Sequence, residues 1–251
     1  MASVWTALVI GNSRLHWAEF SGDRLQKTWD APHANQDQPQ LQHELWIASV
    51  VPSQNQFWQA DPRAHWLSLE QLPLQGMYPT FGIDRALALW GAIQTVGSPV
   101  LVVDAGTALT FTGADRDRLI GGAILPGLKL QFQSLNQGTA ALPNLHCFPH
   151  SPLTPCPNSF GDATRTPLPP RWALTTETAI ASGILHTVIA GLHSFIHDWR
   201  QTYPSSAVVL TGGDGDRLHT YLQALHPDLA SSVKVDPQLA FKGIQAIRPN
   251  Q

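Results

Sequence analysis

Apolar positions along the chain fall into short β-rich runs, each ended by small polar residues, and these alternate with longer segments of helical period. Trp5 to Ile10 is almost continuously apolar, Gly11-Asn12-Ser13 breaks it, and Leu15 to Phe20 resumes an extended pattern. The same device returns: Val100 to Val103 reads as a buried strand, Asp104-Ala105-Gly106-Thr107 as a turn, and Ala108 to Thr112 as a continuing strand. A third run, Ala207 to Leu210, enters Thr211-Gly212-Gly213-Asp214 and then a helix over Asp216 to Leu225. These junctions stand roughly 100 residues apart, a spacing that suggests two related domains facing each other.

The segments between them complete an α/β alternation. Leu45 to Val51 predicts a strand stopped by Pro52, and Asp84 to Val96 a helix with Leu87, Trp90 and Ile93 on one face and Asp84 as its N-cap. Thr175 to Trp199 predicts a long helix packed through Ile180, Ile184, Val188 and Leu192. From Pro143 to Pro170, eight prolines and little apolar periodicity predict an irregular excursion serving as lid, dimer contact or solvated loop.

Composition narrows the function. A length of 251 residues admits one unit or two modest domains. With 15 Lys+Arg against 18 Asp+Glu and no basic stripe, nucleic acid is not expected as a partner. No signal-peptide pattern or membrane-length apolar run is evident, so a cytoplasmic protein without membrane association is expected. Cys147 and Cys156 lack metal-ligand spacing. His186, His193 and His197 share a nominal helix face without the glutamate of a zinc-protease motif, and half-exposed histidines are expected.

The turns hold parts that suit phosphoryl transfer. Gly11 and Gly106 let a ligand approach the backbone, with donors beside them at Asn12, Ser13, Thr107 and Thr110. Asp104, at a strand end, suits a metal-linked carboxylate, and Gly212-Gly213 precede a helix N-terminus that favours anions. Each turn alone is ordinary; three together, with carboxylates at Asp84 and Asp104, are not easily read as independent loops. In Gly82-Ile83-Asp84-Arg85 a guanidinium can pair an acid's carboxylate while its neighbouring carboxylate acts on an alcohol.

These motifs resemble those of the type III pantothenate kinase family, within the acetate-kinase, sugar-kinase, Hsp70 and actin superfamily. The residues carrying the likeness are Gly11-Asn12-Ser13-Arg14, Ser49-Val50-Val51-Pro52, Tyr78 with Gly82-Ile83-Asp84-Arg85, Asp104-Ala105-Gly106-Thr107-Ala108, Gly121-Gly122-Ala123-Ile124-Leu125-Pro126-Gly127, Thr175-Thr176 with Ser182-Gly183, Thr211-Gly212-Gly213-Asp214, and Leu239 with Gly243. The resemblance implies an α/β fold of two RNase H-like (actin-like ATPase) domains with a cleft between them, divided here as 1–97 and 98–251. It also implies ATP, Mg2+ or another divalent cation, a monovalent cation (K+ or NH4+), and a homodimer. Asp84 would be the base that activates the pantothenate hydroxyl. Tyr78, Gly82, Ile83, Arg85 and Thr176 would bind pantothenate, with Thr176 reaching in from a partner subunit. Gly11, Asn12, Ser13, Arg14, Gly106, Thr107, Gly212 and Gly213 would bind ATP and its phosphates, and Asp104 the metal. One position departs: the family's first motif places an aspartate where this chain has Val9. Losing a metal-linked carboxylate predicts weakened transfer. The alternative is a family member retained for ligand binding or as a transcriptional accessory protein.

Overall fold

A computed structural model describes residues 3–34, 43–143, 145 and 168–249. Cys147, Cys156 and most of the proline-rich excursion lie outside the described residues. The strands form two five-stranded sheets. The first has β1 (Val4–Ile10), β2 (Leu15–Ser21), β3 (Arg24–Ala31), β4 (Glu44–Ser49) and β5 (Ala64–Trp66) in the order β3-β2-β1-β4-β5. Its first three strands pair antiparallel, while β4 runs parallel to both β1 and β5. The second has β6 (Val100–Ala105), β7 (Ala108–Asp115), β8 (Arg118–Pro126), β9 (Ala207–Thr211) and β10 (Val233–Val235). Read as β8-β7-β6-β9-β10, its order repeats that of the first sheet. The device used twice in the sequence is thus a repeated sheet topology, the RNase H-like plan.

The helices are α1 (Pro52–Asn55), α2 (Ile83–Val96), α3 (Leu128–Gly138), α4 (Thr176–Thr202), α5 (Gly215–Leu225), α6 (Pro227–Ala230) and α7 (Leu239–Ile247). Two compact units result: residues 1–100, 114–120 and 238–251 in the first, 101–113 and 121–237 in the second. The single cut expected at 97/98 misses the return of the chain's end to the first unit. The turn between β7 and β8 also belongs there, through Gln75 N–H donating to Asp117 O (2.8 Å) and Leu119 N–H donating to Gln75 O (2.9 Å).

In the first unit, one sheet face buries Leu8, Ile10, Trp17, Leu45, Ile47 and Trp58 together. Directly opposed across strands, Trp5 and Phe20 stack at 4.1 Å. The guanidinium of Arg248 lies 4.9 Å over Trp5 and reaches Glu44 at 3.0 Å, tying the segment after α7 to the sheet. Helices α2 and α7 cross where neither has a side chain: a Cβ on Gly91 would run into Leu239 O, and one on Gly243 into Leu87 O. That contact fixes the axis of α2, which carries Asp84 at its start.

In the second unit, α4 supplies the core. Ile184, Leu185, Val188, Leu192 and Ile196 pack with Val103, Phe111, Val208 and Leu210. Among the described residues α4 alone is long and apolar enough to cross a membrane, yet over half of its most apolar stretch is buried in the protein. It is the core helix of its unit.

The helix crossing yields a prediction. Gly243→Ala forces α2 and α7 apart, because backbone cannot yield as a side-chain tip does, and costs about 1–3 kcal/mol. Thermal unfolding of the variant is expected to lose roughly 2–4 °C per kcal/mol; an unchanged Tm would show that the crossing relaxes freely.

Candidate active site

The first unit carries the Gly82–Arg85 motif on the opening turn of α2. Gly82 is the N-cap, with extended backbone, and Asp84 is the second helical residue rather than the cap expected from the sequence. The shift follows from the side chain's direction: Asp84 folds back, and its Oδ1 accepts the Arg85 backbone N–H at 2.8 Å. A Cβ on Gly82 would lie 2.5 Å from that oxygen, so only glycine leaves the carboxylate this seat. Burial raises the Asp84 pKa above the ordinary aspartate value, opposed in part by the Arg85 N–H and guanidinium. A carboxylate biased toward holding a proton, in the positive field of a helix start, suits general-base work.

Arg85 is buried, at 8% exposure. Its Nη1 donates to the Tyr78 hydroxyl at 3.1 Å, and its guanidinium lies 4.7 Å over the Phe81 ring. Phe81 N–H donates to Tyr78 O (2.9 Å), and the two rings meet edge to face at 5.2 Å, so one turn sets both supports of the arginine. Phe81 is a site residue that the sequence reading missed, although it directly precedes Gly82. Tyr78 is exposed at 44%, whereas Ile83 turns into the core.

Also in the first unit, the β1–β2 turn is closed by Gly11 N–H donating to Arg14 O at 3.1 Å. Asn12, Ser13 and Arg14 are exposed. Arg14 Nη1 donates to Asp30 Oδ2 at 2.9 Å, His16 Nδ1 meets Asp30 Oδ1 at 2.7 Å, and His33 Nε2 meets Gly11 O at 2.8 Å. Val9 is buried at 6% exposure and offers no oxygen ligand.

The second unit brings together the other two turns. Asp214 N–H donates to Ala105 O (2.9 Å), and Gly127 N–H donates to Thr107 O (2.9 Å). Gly212 has φ +84°, and a Cβ there would collide with the Asp104 carboxylate and the Ala105 backbone. Asp104, Gly106, Thr107, Gly127 and Gly212 therefore form one close-packed cluster, in which Asp104 occupies the space beside two glycines. A Cβ on Gly213, by contrast, would meet open space. No group of three or more His, Cys, Asp or Glu suited to a metal occurs among the described residues. A single carboxylate beside two glycines fits a cation that takes its remaining ligands from phosphate oxygens and water, as Mg2+ does.

Thr176 opens α4, exposed, beside the N-cap Thr175. It lines an apolar groove with Leu135, Leu142, Ile180 and Ile184. The helix histidines divide: His186 Nε2 meets Pro169 O at 3.0 Å, while His193 lies near His197 and His226, at 6.1 and 4.4 Å between rings.

Comparison with known proteins sets this geometry in context. A family model described as type III pantothenate kinase matches residues 7–198. A type III pantothenate kinase of Nostoc sp. PCC 7120 is 44% identical, over 97% of this chain and 94% of that protein. One of Synechococcus sp. JA-2-3B'a(2-13) is 46% identical, over 97% and 88%. Among solved structures, a Campylobacter jejuni protein described as a Baf-family transcriptional activator superposes with a TM-score of 0.63 at 21% identity, covering 96% of both chains. At that identity the likeness is one of fold.

Two stability effects follow from the seats of the carboxylates. Because the folded Asp84 carboxyl holds its proton more tightly than the unfolded one, native stability falls as pH rises from the ordinary aspartate range through the raised value, and stays lower above it. Asp84→Asn, which keeps an oxygen for the Arg85 N–H, is expected to unfold at a higher temperature than the native chain at neutral pH and at the same temperature in strong acid. A native chain more stable than the variant at neutral pH would contradict this. Gly212→Ala is expected to cost about 1–3 kcal/mol, from its positive φ and the displaced carboxylate, measured by denaturant titration.

Proposed function

The chain belongs to the type III pantothenate kinase family, and we propose that it transfers the γ-phosphoryl group of ATP to the hydroxyl of pantothenate. The product is 4'-phosphopantothenate, and the reaction is the first step of coenzyme A biosynthesis. The observation that carries this reading is the Asp84–Arg85 pair: a partly buried carboxylate with a raised pKa, next to a guanidinium clamped by Tyr78 and Phe81. Arg85, with Tyr78 and Gly82, binds the carboxylate end of pantothenate, and Asp84 accepts the proton of the attacking hydroxyl. Ile83 contributes by burying its side chain and so anchoring the turn. Gly106, Thr107, Gly212 and Gly213 in the second unit, and Gly11 to Arg14 in the first, offer backbone and hydroxyl donors to the ATP phosphates.

Asp104 is the residue that would hold a divalent cation such as Mg2+, which when bound with ATP neutralises charge on the transferring group. A requirement for K+ or NH4+ rests on the family resemblance. The homodimer is supported by Trp172 and Leu174, exposed at 87% and 102% just before α4, and by the apolar groove beside Thr176. A cytoplasmic location accords with an enzyme that draws on ATP. Val9 favours a second reading, a family member that binds these ligands without efficient turnover, since a buried valine occupies the carboxylate's position in the first motif.

Pantothenate-dependent ADP release with Mg-ATP and K+ or NH4+ separates the two. Native turnover that falls about 10^2- to 10^4-fold in Asp84→Asn, the usual range for loss of a general base, is the expected result. Silence in the native chain with turnover in Val9→Asp would establish the second reading, and silence in every variant would remove pantothenate as substrate. In solution the native mass is expected to be that of a dimer and the mass of Leu174→Asp that of a monomer; a native monomer would refute the paired assembly.

A further inference from the structure

The antiparallel register places three side chains in one row on one face of the first sheet: Val9 on β1 opposes His16 on β2, and His16 opposes Asp30 on β3. Directly opposed residues stand about 5 Å apart at Cβ, close enough for side chains to meet. His16 uses Nδ1 on Asp30 at 2.7 Å. Its other nitrogen points the opposite way, since a Cβ on Gly11 would lie 3.3 Å from His16 Nε2. The imidazole therefore spans from the carboxylate on β3 to the glycine of the phosphate-binding turn, and Asp30 fixes its orientation. Arg14, from the same turn, shares the Asp30 carboxylate at 2.9 Å. All three side chains are 40–49% exposed, within reach of a ligand at the turn.

We infer that His16, held by Asp30, contacts the nucleotide phosphates at the Gly11–Arg14 turn through Nε2, the ring nitrogen that faces Gly11. With Nδ1 engaged by Asp30, Nε2 is the ring nitrogen left to share a hydrogen with a bound phosphate. Val9 is the complement of this arrangement, because a carboxylate in its place would sit one strand from His16 and compete with the phosphates for it. His16 is thus a phosphate-contact residue, and Asp30 a positioning residue acting through it.

The inference rests on the ATP-dependent reading, and nucleotide binding by titration calorimetry tests it apart from turnover. ATP, ADP and adenosine are titrated, with Mg2+, into the native chain, His16→Gln and Asp30→Asn, alongside pantothenate-dependent ADP release. His16→Gln is expected to weaken ATP and ADP about tenfold or more, the worth of a charge-assisted hydrogen bond, while adenosine binding and the KM for pantothenate stay unchanged. Asp30→Asn is expected to do the same to a smaller degree. ATP affinity within twofold of native in both variants, or equal losses for ATP and adenosine, would overturn the inference even where the native chain phosphorylates pantothenate. Phosphate-selective loss in His16→Gln would uphold it even where the native chain does not.

Discussion

The candidate carboxylate of each unit occupies space that a Cβ would take from it. Asp84 Oδ1 lies against Gly82, and Asp104 Oδ1 against Gly212. Within each unit this steric condition shapes the turn that carries the carboxylate. It turns Asp84 back over the helix start, where burial raises its pKa, and it brings the turn after β9 onto the turn after β6. Glycine here acts less through flexibility than through absence, since the missing methyl is what lets a charged oxygen pack against backbone.

A carboxylate seated in this way needs a rigid frame, because its seat exists only while the neighbouring backbone stays in place. In the first unit the frame is the glycine crossing of α2 and α7, backed by the stack of Trp5 on Phe20 under Arg248. In the second it is α4, whose apolar face is buried in the core that also contains β6 and β9. The chain's long-range packing is thus spent where two short turns must not move. The seat of Asp84 costs stability at neutral pH, since the fold holds a charge that it would rather see protonated; such costs gather at sites of chemistry.

Much of the architecture was legible in the sequence because it rests on local pattern. β1, β2, β6, β7, β9, α2, α4 and α5 follow from apolar periodicity, and the repeated strand–turn–strand device appears as repeated sheet order. The misses have physical causes. β3 alternates half-buried and exposed residues at a sheet edge, so its pattern is mostly polar. α7 is short, and its role depends on Gly91, far away in the chain. The same distance defeated the single domain cut at 97/98. Asp84 looked like a cap because an acidic residue at a helix start usually is one; the preceding glycine takes that place and frees the side chain to fold back. Asp30 carries no local motif at all, and only strand register brings it to His16.

That register bears on how a departure from a family pattern should be weighed. Along the chain, Val9 stands where the family resemblance leads one to expect a carboxylate, and the local expectation is a weakened phosphate site. Read across the sheet, the position has neighbours: His16 one strand away and Asp30 the next, the latter already engaged by Arg14. An aspartate at position 9 would place a second anion close to this group, and the histidine would serve two carboxylates rather than a ligand. Charge in a binding turn is a property of the set of side chains that face it, so a substitution at one member has meaning only with the others counted. The valine belongs with the arginine–aspartate–histidine cluster as one arrangement of neighbouring side chains.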